Sequence, residues 1–197
     1  MRIRQLVLSP IVVFAFLSAA GLGGIALTRP RPLELKPKTA LASAPTSNRR
    51  EVVLVLIGSS FCAGMRQAGF RPAFLAARDT VAKRVRQAGR ILVTIGVSID
   101  WDPEVGVALL KSYGPFDELA VGANWENIGA VDYIWNDKGV AAVPQVVVLE
   151  RSVNDDGRVI SYGPDRVLLR LAGMPDLQSW MRAGGPLNFE MHSNTLE

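Results

Sequence analysis

From residue 51 the chain falls into apolar runs of two kinds, and their periodicity sets out the fold. "EVVLVLIG" (51–58) and "RILVTIGVSID" (90–100) are nearly unbroken apolar stretches rich in β-branched residues. Strands buried on both faces read this way, whereas half-exposed strands alternate. Between the two runs, Phe74, Ala77, Val81 and Val85 recur at helical spacing, with Lys83, Arg84 and Arg86 mostly on the opposite side. The spacing predicts a long helix from Cys62 that Gly89 stops, and the cations read as its solvated face rather than a docking patch. "DPEVGVALLKSYG" (102–114) reads as a second helix. Asp102 is placed to cap it, Pro103 suits the first turn, Glu104 sits near the positive end and Gly114 ends it. Strand–helix–strand–helix with continuously apolar strands implies a parallel α/β arrangement.

The second half is less regular. Residues 115–142 show no sustained period, and "PQVVVLE" (144–150) is a strand opened by a proline. "VNDDGRVISY" (153–162) supplies an Asp-Gly turn and a partner strand, the signature of a β-hairpin. Residues 164–172 fit a strand or a helix equally. A closing helix is expected from Pro175, because Leu177, Trp180 and Met181 share a face. The tail "NFEMHSNTLE" offers little to order it. The order is thus β-α-β-α, an irregular stretch, then β-β-α, with no internal repeat.

Ahead of this pattern, residues 6–27 carry no charge and are bracketed by Arg2/Arg4 and Arg29/Arg31. About 20 apolar residues suffice to cross a bilayer. The length favours a retained anchor (1–28) over a cleaved secretory signal. Its small residues, Ala19 to Gly24, suit helix–helix contact better than phosphate binding. Residues 29–50, with Pro, Ser, Thr and Ala prominent, read as an extended linker. The remainder divides into a domain at 51–184 and a tail at 185–197. Basic residues flank the span on both sides, so their distribution leaves its orientation open.

Composition changes this picture in one respect. A length of 197 residues, with 49% apolar, matches one packed domain plus an appendage. The net charge of +4 is concentrated in residues 1–50, where eight Lys/Arg face one acid, and residues 51–197 carry 14 basic and 17 acidic residues. A nucleic-acid binder needs its positive charge on the folded surface, so that class is set aside. Charge flanking an apolar span fits lipid headgroups instead.

Chemistry converges on Cys62, the single cysteine. "VVLVLIGSSFCAGM", "VTIGVSIDWDPEVGVALLKSYG" and "GVAAVPQVVVLERSVNDDGRVI" together resemble the membrane-anchored thioredoxin-like proteins of the TlpA/ResA type. The likeness covers most of residues 51–183. It implies a thioredoxin-like α/β fold, a central mixed sheet flanked by helices, behind an N-terminal transmembrane helix and linker. It also implies a cis peptide between Val143 and Pro144, with Pro144 beside Cys62, and a single-pass protein with its domain on the extracytoplasmic, periplasmic side. The departures are pointed. Met65 stands where the family has its resolving cysteine, Phe61 replaces the preceding tryptophan, and Pro72 stands late for the proline that kinks the first helix.

Dithiol exchange needs a second thiol to attack the mixed disulfide, so a self-contained dithiol oxidoreductase and an internal disulfide are both excluded. Two readings remain. In the first, the domain is a non-catalytic accessory or binding subunit docking on a membrane-associated protein partner, a respiratory or photosynthetic complex among the candidates. In the second, Cys62 works as a monothiol, its thiolate favoured at a helix start with Arg66 one turn on, and forms mixed disulfides or reduces peroxide with an external resolving thiol. A partly buried Cys62 acting as a small apolar side chain favours the first. Trp125, Tyr133 and Trp135, in the irregular stretch 122–139, are candidate anchors near Cys62 or a cover packed on itself, whereas Trp180 reads as core. The sole histidine, His192, lies in the tail, so neither a histidine-based triad nor a transition-metal site is expected, nor any cofactor. Asp100, Asp102 and Glu104 cluster in sequence, yet a helix start already accounts for the last two.

Overall fold

The structure is a computed structural model that describes residues 47–136 and 139–189. The uncharged span 6–27, the linker up to residue 46 and His192 lie outside the described residues. Among those described, no helix is long and apolar enough to cross a membrane.

The central strand is β1 (Ser47–Gly58). It pairs in parallel with β2 (Ile91–Ser98), which pairs in parallel with β3 (Glu118–Val121). On its other side lies β4 (Gln145–Asp155), antiparallel. Val52 to Ile57 are all fully buried, as the unbroken apolar run requires. Alternate side chains meet different layers. Val52, Leu54 and Leu56 pack against α2 (Phe70–Gln87), α3 (Pro103–Ser112) and α5 (Gly173–Arg182) through Phe70, Phe74, Leu110, Leu177 and Trp180. Val53, Val55 and Ile57 face a second cluster closed by Ala130 and Ile134. These belong to α4 (Ile128–Ala130) and the π-helical turn Val131–Trp135 that continues it.

The long helix expected from Cys62 is broken in two. α1 (Ala63–Arg66) ends before Gly69, which takes the left-handed φ of 98° at the start of α2. Glycine alone adopts that conformation freely, so the break falls there. Pro72 therefore sits in the first turn of α2, where a missing N–H costs nothing, and kinks no helix. Four-residue β3 arises inside the stretch read as irregular, because so short an edge strand leaves no period to detect.

The expected hairpin partner is two strands in tandem along one edge of β4. β5 (Ile160–Tyr162) pairs with Val153–Asp155, and β6 (Arg166–Ala172) pairs with Gln145–Glu150. The ambiguous 164–172 stretch is thus mainly strand. α5 starts at Gly173, two residues before Pro175. β1 likewise begins within the stretch read as linker, since Ser47–Arg50 find backbone partners in Ser152–Asp155. Beyond α5 the chain stays docked: Trp180 Nε1 donates to the Pro186 carbonyl (3.0 Å), Arg90 lies 5.2 Å from the Phe189 ring centroid, and Leu187 packs on the first cluster. The packed chain thus runs on into the stretch read as tail.

Burial assigns very different weights to two large aromatic residues. Phe74, fully buried, is expected to cost about 3–5 kcal/mol on replacement by alanine. Trp101→Ala, at a side chain 68% exposed, is expected to stay within about 0.5 kcal/mol of wild type. Denaturant unfolding of both variants measures the contrast.

Candidate functional site

The C-terminal ends of β1 and β2 and the start of β4 meet at one end of the sheet, and Cys62 stands there. A turn, Ser59 to Phe61, leads from β1 to Cys62 at the head of α1. The turn is held by Asp100, which is 1% exposed and follows β2. Its carboxylate accepts from Ser59 Oγ (3.0 Å), the Ser60 N–H (3.1 Å to each oxygen), Ser60 Oγ (2.8 Å) and Ser98 Oγ (2.6 Å). Burial alone pushes this carboxyl up, but the bonds from Ser98, Ser60 and Ser59 outweigh it and hold it below its ordinary value. Asp102 instead caps α3 by accepting from the Glu104 N–H (2.8 Å). Asp100 and Asp102 thus both have structural partners.

Cys62 is half-buried, and its thiol donates to the Val143 carbonyl (3.1 Å). The Val143–Pro144 peptide is cis, as the resemblance implied. α1 lies directly on that proline: a Cβ added at Gly64 would be 2.6 Å from Pro144 Cδ and 3.5 Å from Cys62 Sγ. Gln145 Nε2 braces the preceding loop by donating to the carbonyls of Val140 and Ala142. Met65 is buried against Gly58, where an added Cβ would be 2.7 Å from Met65 Cε, and the Tyr113 hydroxyl donates to the Met65 carbonyl (2.8 Å). Position 65 is thus filled by packed hydrocarbon and sulfur. Arg66 turns back to the Phe61 carbonyl (Nη2···O 3.4 Å).

Exposed apolar side chains border this end. Phe61 is 76% exposed and Trp101 68%, on the adjacent turns that Asp100 ties together; Ile128 and Val140 are also exposed. Periodicity singled out none of Trp101, Ile128 and Val140, because it reports what is buried. Trp101 follows the end of β2 and Val140 precedes β4, and that position was the available signal for these two, whereas Ile128 opens α4.

The aromatic stretch takes a different place. Trp125 and Tyr133 pack against the second cluster of the sheet. Trp135 lies against Trp125 (ring centroids 5.8 Å) and donates Nε1–H to its carbonyl (3.1 Å). Tyr133 lines a cleft of about 460 Å³ with Glu118, Arg151 and Tyr162, and burial pushes its phenol up to about 12. Arg151 bonds Glu51 and Glu118 there (3.2 Å each) with its guanidinium 4.3 Å from the Tyr162 ring centroid. Of the sequence candidates, Cys62, Val143 and Pro144 come together. Trp125 and Tyr133 instead pack on the second face of the sheet, and Trp135, 48% exposed, lies against Trp125.

No protein-family model matches the chain, and no curated protein matches it. Among solved structures, the chain is similar to a thiol-disulfide oxidoreductase from Bacteroides fragilis NCTC 9343, with 15% identity, a TM-score of 0.40, and coverage of 72% of this chain and 98% of that one. It is also similar to the thioredoxin domain of a thiol-disulfide oxidoreductase from Bacteroides vulgatus (13%, 0.38, 74% and 96%). A third is a thiol:disulfide interchange protein from a Bacteroides species (12%, 0.37, 78% and 93%).

Two outcomes follow from this geometry. Gly64→Ala forces α1 off Pro144 and is expected to lower the unfolding free energy by about 1–3 kcal/mol, read by chemical denaturation. Asp100 and Asp117, the latter bonded by Thr94, both sit below the ordinary carboxyl value of 3.8 when folded. Their stabilisation is complete above that unfolded value and is lost as pH falls through the lower folded ones. Acid unfolding followed by circular dichroism is expected to flatten in Asp100→Asn relative to wild type.

Proposed function

We propose that the domain works by docking. It binds a partner protein through the end of the sheet that carries Cys62 and Pro144, and segment 6–27 keeps it at the membrane where that partner resides. The observation behind this is the set of exposed apolar side chains at one end, Phe61, Trp101, Ile128 and Val140. Large apolar groups left in water on braced loops are what a binding surface offers. Buried Met65 favours docking over turnover, since exchange without a resolving thiol halts at the mixed disulfide.

A second reading draws on the partial exposure of Cys62 at the cis proline. Here the Cys62 sulfur attacks a disulfide, a new sulfur–sulfur bond forms, and the displaced sulfur leaves as a thiol. A thiol from outside then resolves the adduct.

The two readings separate on one set of samples. In membranes holding the full chain, a photocrosslinker at Phe61 is expected to capture one partner in stoichiometric amount. Trp101→Ala reduces the yield, and Cys62→Ser leaves it unchanged. Undiminished capture with Trp101 and Val140 both replaced by alanine defeats the docking proposal. A yield that collapses in Cys62→Ser supports the monothiol reading. With oxidised glutathione, that reading expects one adduct per chain, stable until dithiothreitol is added, and no adduct sinks it.

A further inference from the structure

We propose that Asp100 is a positioning residue for Cys62, acting through the two serines that precede it. This rests on the reading that the Cys62 end is the working end of the domain. Asp100 and Cys62 lie on different loops, yet the connection between them is short. The Asp100 carboxylate takes the hydroxyls of Ser59 and Ser60 and the Ser60 N–H. Ser59 Oγ in turn accepts the Phe61 N–H (3.2 Å), and the Ser59 carbonyl accepts the Cys62 N–H (3.1 Å). Every residue of the turn thus has a backbone or side-chain bond traceable to one buried anion. The far side of the thiol is fixed by the Val143 carbonyl. Cys62 is held between a clamp from β2 and the loop ahead of β4.

The chemistry of the clamp calls for a carboxylate. Three hydroxyls and one amide N–H converge on it, and two oxygens with their lone pairs accept all four. An asparagine offers one oxygen and aims an NH₂ group at a hydroxyl, so it leaves part of the set unmet. Ser98 Oγ also accepts the Asp100 N–H (3.2 Å), which fixes the carboxylate from its own strand. Asp117, an exposed residue, accepts from the Thr94 N–H (2.7 Å) and Oγ1 (2.8 Å) and bridges β2 to the residue before β3. It serves as a control: a bonded carboxylate that also follows β2 but makes no bond to the turn before Cys62.

The test reads the rate at which iodoacetamide alkylates Cys62 in the full chain, where the sulfur displaces iodide and its proton passes to buffer. Loosening the turn frees the thiol from the Val143 carbonyl. Asp100→Asn and Ser60→Ala are each expected to speed alkylation by about fivefold, the factor for one ordinary hydrogen bond. Asp117→Asn is expected to lower the unfolding midpoint and leave the rate unchanged. A purely structural Asp100 would move the midpoint alone. Rates within about twofold of wild type in Ser60→Ala, or in a folded Asp100→Asn, overturn the proposal. Equal acceleration in Asp117→Asn also overturns it, by showing general loosening. Ser60→Ala decides the matter where Asp100→Asn fails to fold. Because alkylation needs no partner, loss of the docking proposal would leave this result standing, and the reverse holds too.

Discussion

The structure depends on the burial of β1 on both faces. Val52 to Ile57 have no exposed surface, and each such side chain contributes about 1.5–3 kcal/mol when taken from water. A strand with both faces apolar cannot sit at a sheet edge or under a single layer. It must be flanked by other strands and covered on both sides, which here means β2 and β4 beside it, α2, α3 and α5 on one face, and the α4 segment on the other. Once β1 is central, its last residue is fixed at one end of the sheet. The chain that follows must turn there, and Cys62 lies in that turn.

What surrounds Cys62 is a joint between three pieces of chain that sequence separates widely. The cis Pro144 lies against Gly64, the Val143 carbonyl takes the thiol, and Asp100 holds the turn from the other side. One of these contacts needs an absent side chain, since Gly64 lets α1 approach the proline, and beside it Gly58 makes room for Met65. Met65 is therefore well accommodated rather than tolerated. The pocket is fitted to a methionine, and this packing holds the base of α1 against the end of β1. Rigidity at the base and apolar surface at the rim are properties that suit binding.

The aromatic stretch shows how one chemical signal serves a different end. Trp125 and Tyr133 are spent on covering the second face of β1, a demand that arises from the same burial constraint. The residues left exposed near Cys62 are instead Phe61 and Trp101, one from each of two neighbouring turns. Aromatic content alone does not distinguish a cover from a contact surface, because both use large apolar groups in irregular backbone. The distinction depends on which face of the sheet lacks a helix long enough to cover it.

By itself the sequence determined the strands and helices with strong periods, β1, β2, α3 and β4, because an unbroken apolar run or a capped amphipathic one admits few alternatives. It also determined that the chain holds no second cysteine, which excludes self-contained dithiol turnover whatever the fold. It implied one helix through the break at Gly69, which the left-handed glycine there produces, and it left open the four-residue β3 and the split of the last strand region into β5 and β6. Those last two features follow from backbone pairing available only once β2 and β4 are in place. Tertiary structure alone decided the role of Asp100. A carboxylate beside a helix cap looks the same in sequence whether it faces water or three serines, and only the parallel pairing of β1 with β2 brings Ser59 and Ser60 to it. The half-burial of Cys62 was settled the same way, by a carbonyl 81 residues further along the chain.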